Sequence, residues 1–86
     1  MSPVSELRRL IEAIMAGDES KVTATALETL LVDQFFGSKA YEALGEPLAL
    51  FSPGASSPYV DGPELRRLIA ACEPALRVLY EEGPRA

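Results

Sequence analysis

The chain has 86 residues, 13 acids against 8 bases, a formal net charge of −5 and no histidine. Without histidine the ordinary neutral-pH acid–base group is missing, and imidazole metal ligands with it. The single cysteine, Cys72, excludes both an internal disulfide and a cysteine-based zinc site.

The spacing of apolar residues predicts a single all-α domain over 1–86, a small antiparallel bundle of about four helices. Ser2-Pro3 opens the first helix, serine as N-cap and proline where its missing N–H does no harm. Val4, Leu7, Ile11 and Ile14 form its stripe, Gly17 ends it, and Asp18-Glu19-Ser20 is the turn. The start of the second helix stays open. Val22 to Thr25 is β-branched enough to be extended, and Thr25-Ala26-Leu27-Glu28 is a capping-box pattern. Leu27, Leu30, Leu31 and Phe35 line this helix, and Gly37 is its stop.

Ser38 caps a third helix with Tyr41, Leu44, Leu48 and Phe51 on one face. Gly45 and Pro47 interrupt it, so a break near these residues is expected. Residues 52–61 hold two prolines and three serines and read as a loop. Asp61 caps the last helix, with Glu64 as capping-box partner and Val60 and Leu65 as a hydrophobic staple. Its stripe runs through Leu65, Leu68, Ile69, Cys72, Leu76, Leu79 and Tyr80 without losing phase at Pro74, which predicts one helix kinked there. Gly83-Pro84 ends it, and 83–86 is expected to fray. Glu6-Leu7-Arg8-Arg9-Leu10-Ile11 recurs unchanged as Glu64-Leu65-Arg66-Arg67-Leu68-Ile69. Either two similar amphipathic helices or two equivalent roles explain the echo.

The chemistry-bearing residues point away from catalysis. Serine, threonine and cysteine lack a histidine base, and Lys21 and Lys39 lack a motif partner. Cys72 sits on an apolar face as a buried thiol. The arginine pairs diverge around their helices, and Arg8–Glu12 and Glu73–Arg77 have ion-pair spacing on a solvated surface. Asp18, Glu19 and Asp61 lack calcium-loop spacing, and no phosphate loop or dinucleotide fingerprint occurs, so neither metal nor cofactor is expected. Net acidity disfavours nucleic acid and anionic membranes and favours a basic protein. No apolar run approaches the roughly 20 residues of a membrane span. Arg8-Arg9 precedes only a short apolar run broken by Glu12, which is no signal peptide. With the lone thiol, the cytoplasm is the expected location.

Four acids stand out around Gly37, namely Glu28, Asp33, Glu42 and Glu46, with Tyr41 among them. Carboxylates with tyrosine suit a partner rich in lysine or arginine. Phe35 and Phe36 cannot both face inward, which leaves one exposed for contact; Phe36 joins the candidate partner-binding set. The alternative is a structural or oligomerisation domain, a homodimer through apolar helix faces and the repeated helices.

Leu10-Ile11-Glu12-Ala13-Ile14-Met15-Ala16-Gly17-Asp18, the apolar segment Leu44 to Pro53 before an irregular loop, and the acid-capped helix Asp61 to Leu68 together resemble the small helical immunity proteins of bacterial toxins, the colicin D immunity type. The resemblance covers most of the chain through helix order and apolar pattern. It implies a bacterial, cytoplasmic, non-enzymatic protein whose acidic surface masks a toxin's basic active site.

Overall fold

The computed structural model describes residues 2–54 and 57–84, which form α1 (Pro3–Met15), α2 (Lys21–Gln34), α3 (Lys39–Ala49), α4 (Gly62–Ala71) and α5 (Glu73–Glu82). The four-helix expectation is therefore corrected to five. Among the described residues the only β-type pairing is an isolated bridge between Phe51 and Val60. Of the loop and tail expected from the sequence, Ala55, Ser56, Arg85 and Ala86 lie outside the described residues.

Local chemistry explains the helix ends. Ser2 Oγ accepts from Ser5 N–H at the start of α1. At its end, Gly17 adopts a φ of 116°. There Gly17 N–H donates to Ile14 O at 3.1 Å and Asp18 N–H to Ala13 O at 3.0 Å. These two bonds make a Schellman closure, which glycine enters without a Cβ penalty.

Neither expected start of α2 holds, because Ser20, read from the sequence as part of the turn, is the N-cap. Its Oγ accepts from Thr23 N–H at 3.3 Å, while Asp18 accepts from Ser20 N–H at 2.9 Å and from the Thr23 hydroxyl at 2.6 Å. This network starts the helix at Lys21, so Val22 to Ala24 are helical and the capping-box pattern at Thr25 goes unused. The hydrogen bonds donated by the Thr23 hydroxyl and the Ser20 amide hold the Asp18 carboxyl below its ordinary value.

The break expected near Gly45 and Pro47 does not occur; α3 runs through both. Pro47 deprives Ala43's carbonyl of a donor, but Ala43 is exposed to water, and only two helical residues follow the proline. The turn then closes with Leu50 N–H on Glu46 O at 3.0 Å.

The helix expected to be merely kinked at Pro74 divides in two. Pro74 has no N–H for Ala70's carbonyl and would collide with it. Cys72 instead turns with φ −94° and ψ 5°, sharing its N–H between Leu68 O and Ile69 O. Leu76 N–H then donates to Cys72 O at 3.1 Å, and Pro74 falls in the first turn of α5, where its missing donor is harmless. Asp61 caps α4 as expected, accepting from Glu64 N–H at 3.0 Å.

The core gathers Leu7, Leu10, Ile11, Ile14, Leu27, Leu31, Phe35, Leu44, Leu48, Phe51, Leu65, Ile69, Leu76 and Leu79. Helix α2 packs against both α1 and α3, and α4 and α5 close the core against α1 and α3. Val60 is buried while Tyr59 stays half-exposed, so the loop is tied down through Val60 N–H to Leu50 O and Ser52 N–H to Val60 O. The accessible surface is 5083 Å², against about 5,000 Å² for a compact monomer of this mass. The core is therefore closed by the chain itself.

The repeated hexapeptide folds alike twice. Leu7 and Ile11 are buried in α1 and Leu65 and Ile69 in α4. The second arginine of each copy pairs with the glutamate three residues back, Arg9 with Glu6 and Arg67 with Glu64. The first arginine of each reaches another element. Arg8 lies over the Tyr80 ring at 4.2 Å, and Arg66 meets Glu19 at 3.1 Å. The expected Arg8–Glu12 pair is thus replaced by a cation–π contact with α5.

Candidate functional site

The site is built around the turn between α2 and α3. Phe35 ends α2 with its N–H on Leu31 O, and Gly37 takes a φ of 82° so that the chain can reverse. Ser38 then caps α3, its Oγ accepting from Tyr41 N–H at 3.1 Å. This geometry separates the two phenylalanines. Phe35 is 3% exposed and belongs to the core; Phe36 is 70% exposed. The Phe36 ring rests on Tyr41, with centroids 4.8 Å apart and planes inclined by 42°.

The turn meets the end of α5. Between them lies a cleft of about 440 Å³, walled by Gly37, Ser38, Lys39 and Glu42 on one side and Ala75, Val78, Leu79, Glu82 and Gly83 on the other. A smaller hollow of about 110 Å³ shares Ser38, Leu79 and Gly83 with it and adds Asp33 and Phe36. Asp33, Phe36 and Glu42 thus border one end of the molecule, and Tyr41 supports Phe36 there.

The other two acids stand apart from these cavities. Glu46 is one turn beyond Glu42 on α3. Glu28 is half-buried and lies five residues before Asp33, about 140° away around the α2 axis. Helix α2 therefore cannot present both of its acids to one flat partner.

The charge balance differs sharply across the molecule. Ion pairs join Arg9 to Glu6, Arg66 to Glu19, Arg67 to Glu64 and Arg77 to Glu73. All lie on α1, α4, α5 and the turn before α2. Among the described residues, Glu28, Asp33, Glu42, Glu46 and Glu82 enter no ion pair, and neither do Glu12 on α1, Glu81 on α5, or the capping and turn acids Asp18 and Asp61. Four helices carry acids in the last turn, where the backbone dipole is itself negative, with no base there: Glu12 in α1, Asp33 in α2, Glu46 in α3, and Glu81 and Glu82 in α5. Among the described residues, Lys39 is the one cation bordering the larger cleft.

Ala75, Val78, Leu79 and Glu82 are absent from the set expected from sequence. They follow Pro74 and reach α3 only through tertiary packing. The legible signal was Glu81-Glu82 in a last helical turn, where acids oppose the dipole.

Other chemistry is sparse. Burial pushes the Cys72 thiol up, away from reactive thiolate. Burial also raises Tyr80, against the opposing influence of Arg8. Among the described residues no group of three or more acid, histidine or cysteine side chains is placed to hold a metal ion, and no helix is long and apolar enough to cross a membrane. No family model, curated protein or solved structure matches the chain.

Proposed function

We propose that the chain is a non-enzymatic, acidic protein-binding module that covers a basic surface of a partner through the end of the molecule where α2, α3 and α5 meet. The observation that carries this reading is the pairing pattern. Asp33, Glu42 and Glu82 border the same end without an ion-pair partner among the described residues, and Asp33 and Glu82 each sit at a negative helix end. Such an arrangement costs the free chain stability and is relieved by a partner's lysine or arginine. Phe36, exposed and held by Tyr41, supplies the apolar anchor.

The resemblance to colicin D-type immunity proteins gives the most concrete version, a cytoplasmic chain that masks a toxin's basic active site. The reduced state expected of the single thiol supports that location. Short turns between α1, α2 and α3, with α2 packed on both neighbours, support the antiparallel bundle included in the proposal. Glu46 extends the contact along α3, and Glu28 contributes through its field at the margin.

The test is association with the polypeptide encoded beside it. Wild type should form a stoichiometric complex whose on-rate falls with salt, and Asp33→Lys with Glu42→Lys should slow association about tenfold or more. A complex indifferent to both salt and reversal would sink the reading.

A second reading rests on the outward side of α2. Val22, Thr25, Thr29 and Val32 recur at 3, 4 and 3 spacing, uncharged and exposed. This is the seam spacing of paired helices and favours a homodimer or accessory subunit. Sedimentation separates the two: a tight dimer insensitive to salt supports the second.

A further inference from the structure

The cleft beside Glu42 and Glu82 does not end there. A second hollow, of about 400 Å³, continues it along α3 and α5. The two share Lys39, Ala75 and Val78, and the second adds Ala43, Ala71 and Cys72. The result is one groove, floored by small apolar side chains, with acids at one end and Lys39 midway. We infer that this groove seats an amphipathic helix of a partner protein, apolar on the face that meets Ala43, Ala75 and Val78 and basic in the turn that meets Glu42 and Glu82. This rests on the reading that the chain binds a basic protein, and it adds which secondary structure is bound and where.

Three features select that occupant. First, the groove runs between helices whose backbone groups bond internally. An extended peptide would find no free sheet edge there and would leave its own amides unpaired, whereas a helix satisfies its own. Second, alanines at 43, 71 and 75 remove the bulk that keeps helices apart, so an added helix can approach closely. Along α5, Pro74 to Glu82 spans eight steps, about 12 Å, or roughly two helical turns. Third, the charges are ordered. Glu42 and Glu82 demand lysine or arginine at one end, and Lys39 accepts a carboxylate or a neutral residue in the middle. The order also fixes which way the helix lies.

The experiment uses the full chain and a synthetic helical peptide of about fourteen residues, with leucines along one face and arginines confined to one terminal turn. A control peptide carries glutamates in place of the arginines. Amide shift mapping should show saturable binding centred on Lys39, Ala43, Ala75, Val78 and Glu82. The control should bind about tenfold more weakly or worse. Cys72 is a built-in reporter on the unaltered protein. It is 8% exposed in the groove floor, and its alkylation rate should fall at least about fivefold at peptide saturation. Ala43→Trp, at an exposed position that leaves the core intact, should block the groove and cut affinity about tenfold or more.

The failures are distinguishable. If Glu42→Lys with Glu82→Lys abolishes binding while Ala43→Trp and the alkylation rate do not respond, the groove is overturned and the acidic-surface reading stands. Shifts centred on Val22, Thr29 and Val32 overturn it in favour of α2. Self-association that protects Cys72 without peptide assigns the groove to a second copy and overturns it as well. No saturable binding at millimolar peptide overturns the groove, while the reading beneath it falls only if the complex with the neighbouring polypeptide is indifferent to salt and to charge reversal.

Discussion

The side of the molecule made by α1, α4 and α5 and the end made around the α2–α3 turn use the same residue types to opposite effect. On the first, each acid of the repeated hexapeptides has an arginine three residues on, and Arg66 ties α4 to Glu19 in the turn before α2. Around the second, Asp33, Glu42 and Glu82 have no such partner among the described residues, and an aromatic ring lies in the open. Both share one core, so the difference is not one of folding quality. Charges that answer one another maintain the fold; charges placed against helix dipoles, beside a cleft, are free to answer something else.

The sharpest way to break this contrast lies in the two adjacent phenylalanines. Phe35→Ala removes a core ring and should cost about 3–5 kcal/mol. Phe36→Ala removes a ring whose main contact is Tyr41 and should cost no more than about 1.5 kcal/mol. Urea denaturation of both variants measures the difference. If Phe36→Ala proved as damaging as Phe35→Ala, Phe36 would be a structural residue and no anchor.

Why the sequence could say that one ring was exposed, but not which, is instructive. Adjacent helical residues diverge by about 100°, which is a local fact. The choice between them depends on where α2 stops and how Gly37 turns, and those depend on α3. The same divide runs through the rest of the chain. The caps Ser2, Ser38 and Asp61, the glycine stops and the apolar stripes were legible because they act within one or two turns. Pro47 and Pro74 misled in opposite directions. Pro47 is harmless two residues from the end of α3, whereas Pro74 divides a stripe that keeps perfect phase; periodicity records which face is buried, not whether the backbone is continuous. The groove wall from α5 was illegible because it faces α3 across the fold.

A middle-sized effect tests the paired side at its start. Ser20→Ala removes the cap of α2 and should cost about 1 kcal/mol, read from thermal melts. The same network has a pH signature. Hydrogen bonds depress the Asp18 carboxyl in the folded state, so it binds a proton less readily there than in the unfolded chain. Its contribution is therefore complete above the unfolded carboxylate range and declines as pH falls through the folded value. Asp18→Ala should flatten the acid limb of the melting curve. An unchanged slope would mean that the Thr23 and Ser20 bonds to Asp18 contribute nothing.

A smaller effect should have the opposite sign. Asp33 lies in the last turn of α2, where the dipole favours cations. Asp33→Lys should stabilise the free chain by about 0.3–1 kcal/mol while weakening association with a basic partner. Gain in stability with loss of binding is what distinguishes a residue retained for contact from one retained for folding. A loss of stability in the chemical denaturation of this variant would return Asp33 to the structural side of the comparison.

The smallest expected effect belongs to Glu19, which joins the turn before α2 to α4. Its carboxylate meets Arg66 and lies against Gly62, in the space that a Cβ there would occupy. Gly62 opens α4, so the carboxylate also faces the positive end of that helix. Both partners are partly solvated, which discounts the pair heavily; Glu19→Gln should cost about 0.5 kcal/mol in dilute buffer. In molar salt the wild type should fall to the level of the variant, because the interaction is screened. Gly62→Ala should mimic the loss by displacing the carboxylate while leaving its charge in place. If Glu19→Gln remained equally destabilising in high salt, the contact would be one of packing, and this side of the molecule would owe its order to shape rather than to answered charge.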